Sequence, residues 1–215
     1  MKVTAPGLGF RASGAIGKSM VFGDWKGIQY ARSYVIPANP RSAAQVETRD
    51  ALKTLGRIAA VLPPLAMANW ANFAQSQPLT PSNALVSLNL PLIRGDANLD
   101  QAEWLRDSRG VAVIGLATFT GGVGTITVVP TLVAAPTGWT VQACVAAAVR
   151  SLDPSPPATY ASTNVLAGED TTSPYSIALT AGQTGVYRCS VVARLVAPDG
   201  TLRYSPALHG TATVT

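Results

Sequence analysis

Three observations predict a mainly β chain that ends in a two-sheet sandwich. From about Gly110, strand-like runs alternate with turn punctuation. One of these runs, Val186–Val196, carries Tyr187, Cys189, Val191, Ala193 and Leu195 on one parity and Arg188, Ser190 and Arg194 on the other, with Val192 the exception. The composition adds 19 Gly and 16 Pro to only 13% charged residues. A period of two marks a strand with one face in a core and one in water. Abundant turn formers and small side chains belong to a turn-rich β protein rather than one of long helices. A hydrophobic fraction of 47% with so little charge implies that much apolar surface is buried, in part against other chains.

The elements follow in chain order. Residues 5–36 read as a small β-meander, with Met20–Phe22 and Ile28–Val35 as strands and Gly23–Gly27 as the hairpin loop. Three short strands alone are marginal and need a partner surface. Pro37–Pro40 breaks the chain in extended geometry. A helix is expected next, with Ser42 as N-cap and Gln45 completing a capping box. Its apolar stripe is Val46, Leu52, Leu55, Ile58, Ala59 and Leu62. Pro63–Pro64 ends it, and a second helix over 65–74 completes an αα-hairpin. A third, over 82–90, is opened by Ser82 and closed by Pro91. Residues 91–110 are polar and read as a linker.

The sandwich strands are expected at 111–119, 123–131, 138–149, 158–166, 173–180, 186–196 and 201–214, with Ala197–Gly200 as the last hairpin turn. Seven segments, with Trp139 opening the third, suit an immunoglobulin or fibronectin type III arrangement. The fold class is therefore mainly β, with a small α+β N-terminal region (1–90), a linker (91–110) and a seven-stranded Ig/FN3-like sandwich (111–215).

Chemistry is sparse. Ala12–Ser19 matches a loose phosphate-loop pattern, but a strand-like run follows it where a phosphate loop needs a helix. There is one histidine, His209, which reads as a surface residue, and with two distant cysteines it makes no metal or triad set. Arg94-Gly-Asp96 reads as a turn with solvated charges rather than an adhesion motif. Cys144 shares parity with Gln142 and Arg150 and so is expected to face outward, whereas Cys189 faces inward; two free thiols are expected. No enzyme, cofactor or metal is expected. Neither a signal peptide nor a membrane-spanning helix is visible, which places the chain's synthesis in the cytoplasm.

Charge is uneven. Residues 1–60 hold nine Lys/Arg against three Asp/Glu, a net +6, and the remainder holds seven against eight, a net −1. Arg49, Lys53 and Arg57, four apart, share one helical face. That face has three readings: a solvated surface, a dock for an acidic protein, or a nucleic-acid contact, for which the runs of Arg/Lys and stacking aromatics are missing. With Trp25 and Tyr34 these residues form the candidate docking face.

One segment carries a family resemblance. Ser13–Phe22, Trp25–Gly27, Tyr34–Pro40, the helix with Ala44, Gln45 and Arg49, the helix around Trp70 and Asn83–Asn89 together resemble small structural proteins of tailed bacteriophages and prophages. The resemblance covers about residues 10–90. It implies a virion component with an N-terminal assembly region and an appended sandwich, assembled in the host cytoplasm in many copies. The expected function is a capsid decoration or cement-type protein. The alternatives are a tail or head–tail junction component, or a host-surface-binding module. Its partners would be a major capsid protein or tail proteins and further copies of itself, in a homo-oligomer or multicopy assembly, with no membrane; nucleic acid is not the expected partner.

Overall fold

The computed structural model describes residues 13–26, 28–36, 41–75, 78–94, 99–106, 110–151 and 164–215. It divides into two compact units, Met1–Arg41 and Ser42–Thr215.

In the first unit, β1 (Gly14–Ile16), β2 (Met20–Trp25) and β3 (Ile28–Ser33) form the expected antiparallel meander, in the order β1-β2-β3. The register pairs Ile16 with Met20 and Met20 with Ser33, and Phe22 with Gly14 and Ala31. Those residues share one face. Ala15, Val21, Gly23, Trp25, Tyr30 and Arg32 share the other, because paired residues point the same way and neighbours alternate. Tyr30 lies across Gly23, where any Cβ would sit 2.6 Å from its ring. Glycine at that position lets the aromatic ring cover the bare backbone.

The second unit has three layers. One sheet is β4 (Ile114–Gly121), β5 (Thr125–Leu132) and β8 (Ile177–Thr180). The other runs β10 (Leu202–Tyr204), β9 (Gly185–Val196), β6 (Thr140–Arg150), β7 (Val165–Asp170), with β11 (Leu208–Val214) also on β9. Three strands facing four, the last of them broken at 205–207, is the fibronectin type III arrangement. The inter-sheet core is Ile126, Val128, Tyr187, Val191 and Leu195, with Cys144, Ala146 and Ala148 from β6. The expected strand at 158–166 lies mostly outside the described residues, and the strand found there is Val165–Asp170.

The third layer comprises α1 (Ala43–Val61), α2 (Pro64–Ala74) and α3 (Pro81–Ile93), which cover the outer face of the larger sheet. Leu55, Ile58, Leu62, Trp70 and Leu85 share one core with Val145, Ala147, Val149, Val165, Val192 and Tyr204. This explains why the middle of β9 and of β6 is buried on both faces. Val192, an exception to the period of two, points into the helices. The boundary expected at 91–110 is therefore corrected. The helices belong with the sandwich, and the chain divides at residue 41 instead.

The reason lies in residues 99–106, which are a clasp rather than a linker. Leu99, Ala102, Trp104 and Leu105 are buried between the helices and the sheet. The backbone here has no strand neighbour, and side chains take that role. Asn89 donates to Glu103 O at 2.9 Å and accepts from its N–H at 2.7 Å. Asn69 does the same for Arg106, at 3.0 and 2.7 Å. Trp70 Nε1 donates to Trp104 O at 2.9 Å, and Trp104 N–H donates to Ser190 Oγ at 3.2 Å. Asn72 adds a donation to Leu202 O at 3.0 Å, tying α2 to β10.

Helix boundaries also differ. Ser42 precedes α1 but makes no side-chain cap. Thr80, not Ser82, caps α3, accepting from Asn83 N–H at 3.2 Å, because Pro81 takes the first helical position where no N–H is needed. Pro91 sits inside the last turn rather than ending the helix before it. No single helix among the described residues is long and apolar enough to cross a membrane; α1 and α2 pass a length-and-composition test only as a pair bent by 113°.

Two measurements check this packing. A fragment of residues 42–215 should unfold cooperatively and stay soluble, whereas 108–215, stripped of the layer over Val145, Ala147, Val149 and Val192, should aggregate; a soluble, folded 108–215 would refute the shared core. Asn89→Ala strands both backbone groups of Glu103 and should cost about 2–5 kcal/mol in chemical denaturation, since each buried orphan costs about 1–3 kcal/mol.

Candidate docking surfaces

The sequence motifs that hinted at chemistry do not assemble a reactive centre. No group of three His, Cys, Asp or Glu that could hold a metal exists among the described residues. Gly14–Ile16 is a strand, Ser19 Oγ donates to Ile16 O at 3.0 Å in the following turn, and β2 comes next. A strand follows that turn where a phosphate cradle needs the N-terminus of a helix. Arg94 is the C-cap of α3, and Gly95 and Asp96 lie outside the described residues.

Cys144 corrects its expected orientation. A register shift between Val141 and Ala143 changes the phase of β6, so Cys144 points inward with Ala146 and Ala148. Cys189 also points inward, opposite Ala148, while Cys144 is opposite Ala193. Four residues of offset put them about 13 Å apart along neighbouring strands, beyond disulfide reach. Both thiols are free. Burial pushes each up to about 12, with Asp170 adding to the rise at Cys144 and Arg188 opposing it at Cys189. A thiol held protonated in this way is a poor nucleophile.

His209 is not the surface residue expected. It is partly buried on β11, with Nδ1 2.9 Å from Ser190 Oγ. Ser190 Oγ also accepts from Trp104 N–H, so one buried hydroxyl joins the clasp backbone to the His209 ring. Ser190 is fully buried, so the pair serves the clasp and offers no nucleophile to a substrate. Burial lowers the His209 pKa below its usual 6.5, with Arg188 and Arg106 acting in the same direction and Glu103 opposing them.

The surfaces that remain are the meander and one face of α1. Arg49 and Lys53 are exposed and Arg57 half-exposed, on the side of α1 away from buried Leu55, Ile58 and Leu62. Trp25 and Tyr34 lie in the other unit, so the five residues form two surfaces. In the meander no described residue of 13–36 is buried. Ile16 is 63% exposed, Trp25 65% and Ile36 73%. Lys26, in a left-handed turn at φ 52°, places its ammonium 5.1 Å from the Trp25 ring centroid. Tyr30 and Arg32, not singled out in the sequence, join Trp25 on one face; strand alternation from Ile28 could have identified them.

Charge follows the same division. Residues 1–41 hold Lys2, Arg11, Lys18, Lys26, Arg32 and Arg41 against Asp24 alone, a net +5. Residues 42–215 hold ten basic and ten acidic side chains, a net of zero. The whole chain's excess charge thus sits in the unit whose described residues form no core.

The fold defines the class: an immunoglobulin-like sandwich of fibronectin type III topology with a helical layer. No family model and no curated protein matches the chain. Among solved structures, it is similar to one described as a myokine, at 13% identity and TM-score 0.33 over 49% of this chain and 99% of that one. The fibronectin(III)-like modules of CbhA from Clostridium thermocellum align at 20% identity and TM-score 0.26, covering 46% of each chain. A cohesin module from a Clostridium perfringens family 33 glycoside hydrolase aligns at 11% identity and TM-score 0.27, over 48% of this chain and 98% of that one.

The pH dependence of stability tests the His209 assignment. Because its folded pKa is depressed, its contribution is fully present above 6.5 and is lost as pH falls below that value. Thermal midpoints should therefore drop as pH falls below 6.5, and His209→Gln should flatten that segment. Asp170 and Asp199, held low by hydrogen bonds, lose their contribution as pH falls toward and through their usual 3.8, below the onset of the His209 loss. An unchanged slope in the variant would refute the assignment.

Proposed function

We propose that this protein is a non-enzymatic structural component of a tailed-bacteriophage particle, a capsid decoration or cement-type protein. In this reading the N-terminal unit docks onto other virion proteins and the sandwich with its helical layer is displayed. The observation that carries the proposal is the pairing of a coreless, exposed meander with the chain's entire excess positive charge. A three-stranded sheet with no buried residue gains its stability from a surface that covers it. A net +5 over residues 1–41 selects an acidic surface and speeds the encounter. The resemblance of residues 10–90 to phage structural proteins supports the same reading, as does the lack of a reactive centre among the described residues. Protein–protein interaction is the broader form of the proposal. Head decoration and a tail or head–tail junction position differ in copy number, hundreds against few.

Purified particles of a phage or induced prophage encoding the chain test this. The protein should copurify with them, and a chain lacking residues 1–41 should fold yet fail to attach. The charge reversal Arg49→Glu/Lys53→Glu/Arg57→Glu should weaken attachment if α1 shares the contact, and wild-type attachment should fall as salt rises. Particles complete without the protein, or normal attachment of the truncated chain, would refute the docking role.

A further inference from the structure

Strand register gathers on one face of the meander rings and cations that lie apart in the sequence. β2 contributes Val21 and Trp25 to this face, and β3 contributes Tyr30 and Arg32. Tyr34 N–H donates to Ser19 O at 2.8 Å, which carries the β2–β3 ladder one step past β3 and adds a ring two residues beyond Arg32. Ring, cation and ring thus alternate at Tyr30, Arg32 and Tyr34, with steps of about 7 Å. Lys26, in the hairpin turn, holds its ammonium 5.1 Å from the Trp25 ring centroid. All five side chains are exposed, Tyr34 by 38%. The Tyr30 ring rests on the bare backbone of Gly23 and keeps its outer side in water. Asp24, the one carboxylate in residues 1–41, alternates to the opposite face with Phe22.

We infer that this face binds single-stranded nucleic acid, with bases stacked on Trp25, Tyr30 and Tyr34 and phosphates at Lys26 and Arg32. The net +5 over residues 1–41 selects a polyanion. The interleaved rings select one that brings flat aromatic groups between its charges, which a carboxylate-rich protein surface does not. A duplex brings phosphates but keeps its bases stacked on one another, so the rings require an unpaired strand. Stacking and phosphate contacts read no base edge, so the binding is tolerant of sequence. Clusters of this kind are invisible to a search for Arg/Lys runs, because the cations come from a turn and a strand. The inference goes beyond the particle reading and does not rest on it: it concerns one face of the meander and leaves the Ile16–Met20–Phe22 face to a protein.

The test uses the purified full chain and the fluorescence anisotropy of a labelled oligothymidylate about 12 nucleotides long, within the span of small single-strand sites. Anisotropy should rise with protein, and log K should fall against log salt with a slope of about −1.4, the value for two phosphates on a single strand. A duplex of the same length and an oligoglutamate of equal charge should compete about tenfold more weakly or worse. Trp25→Ala/Tyr30→Ala should weaken binding by about tenfold, and Arg32→Gln should lower the slope by about 0.7. Met20→Ser, on the other face, should change neither. Trp70 and Trp104 are buried and Trp139 half-buried, so bound strand should quench mainly Trp25. Should the alanine pair unfold the meander, Trp25→Phe keeps a ring there and should bind with that quenching gone. No binding by the wild-type chain, oligoglutamate competing as well as the oligonucleotide, or Trp25→Phe leaving the quenching intact would overturn the inference. Equal competition by oligoglutamate would leave docking on an acidic protein standing, and strand binding by a chain that no particle carries would refute the particle reading alone.

Discussion

A buried extended segment without a neighbouring strand must still pair its backbone groups, and the second unit is organised around meeting that demand. Residues 102–106 run between three helices and a sheet, and amide, indole and hydroxyl side chains supply what a ladder would have supplied. The partners come from α2, α3 and β9, so one short stretch fixes the position of the whole helical layer. Removing any one partner leaves a buried donor or acceptor unmatched, and that cost exceeds the net gain from an ordinary hydrogen bond. Three polar residues inside otherwise apolar stripes, Asn69, Asn72 and Asn89, are therefore not defects of the helices. They join the helices to the β-sandwich.

The sequence made the sandwich legible and concealed this join. Alternation in Val186–Val196 and the Pro-Asp-Gly turn after it located β9 and the strands that follow, because period and turn chemistry are local properties. Val192 already broke the alternation, and it does so because β9 is covered on both sides. Read as a signal, that exception together with the all-apolar Val145–Val149 run indicates a buried central sheet. The polar look of residues 91–110 misled for a related reason: charge and burial alternate within it, Glu103 and Arg106 pairing at the surface while Trp104 and Leu105 lie beneath. The orientation of Cys144 depended on a one-residue register shift at Gln142, which no propensity announces.

The two units also divide the physical roles. The larger owns the burial among the described residues and none of the net charge; the smaller owns the net charge and, among its described residues, none that is buried. Exposed aromatic and apolar side chains on a small sheet are a liability in a free molecule and an asset in an assembly. The docking candidates read from sequence, Trp25 and Tyr34 on one unit and Arg49, Lys53 and Arg57 on the other, straddle this division. The meander carries the stronger case, since α1 already buries one side of itself.

The face of the sandwich turned away from the helices has its own consequence. From Gly110 to Val149 the chain contains no Asp, Glu, Lys, Arg or His, and β8 adds none. Leu116, Thr118, Thr120, Thr125, Val129, Thr131, Ala178 and Thr180 are exposed on it. A surface without ions has no ionic atmosphere to rearrange and no proton to gain. Its own charge is zero at every pH, and screening by salt has nothing on it to act on. Whatever touches that side of the molecule meets short hydroxyls and methyls, and recognises it by shape rather than by charge.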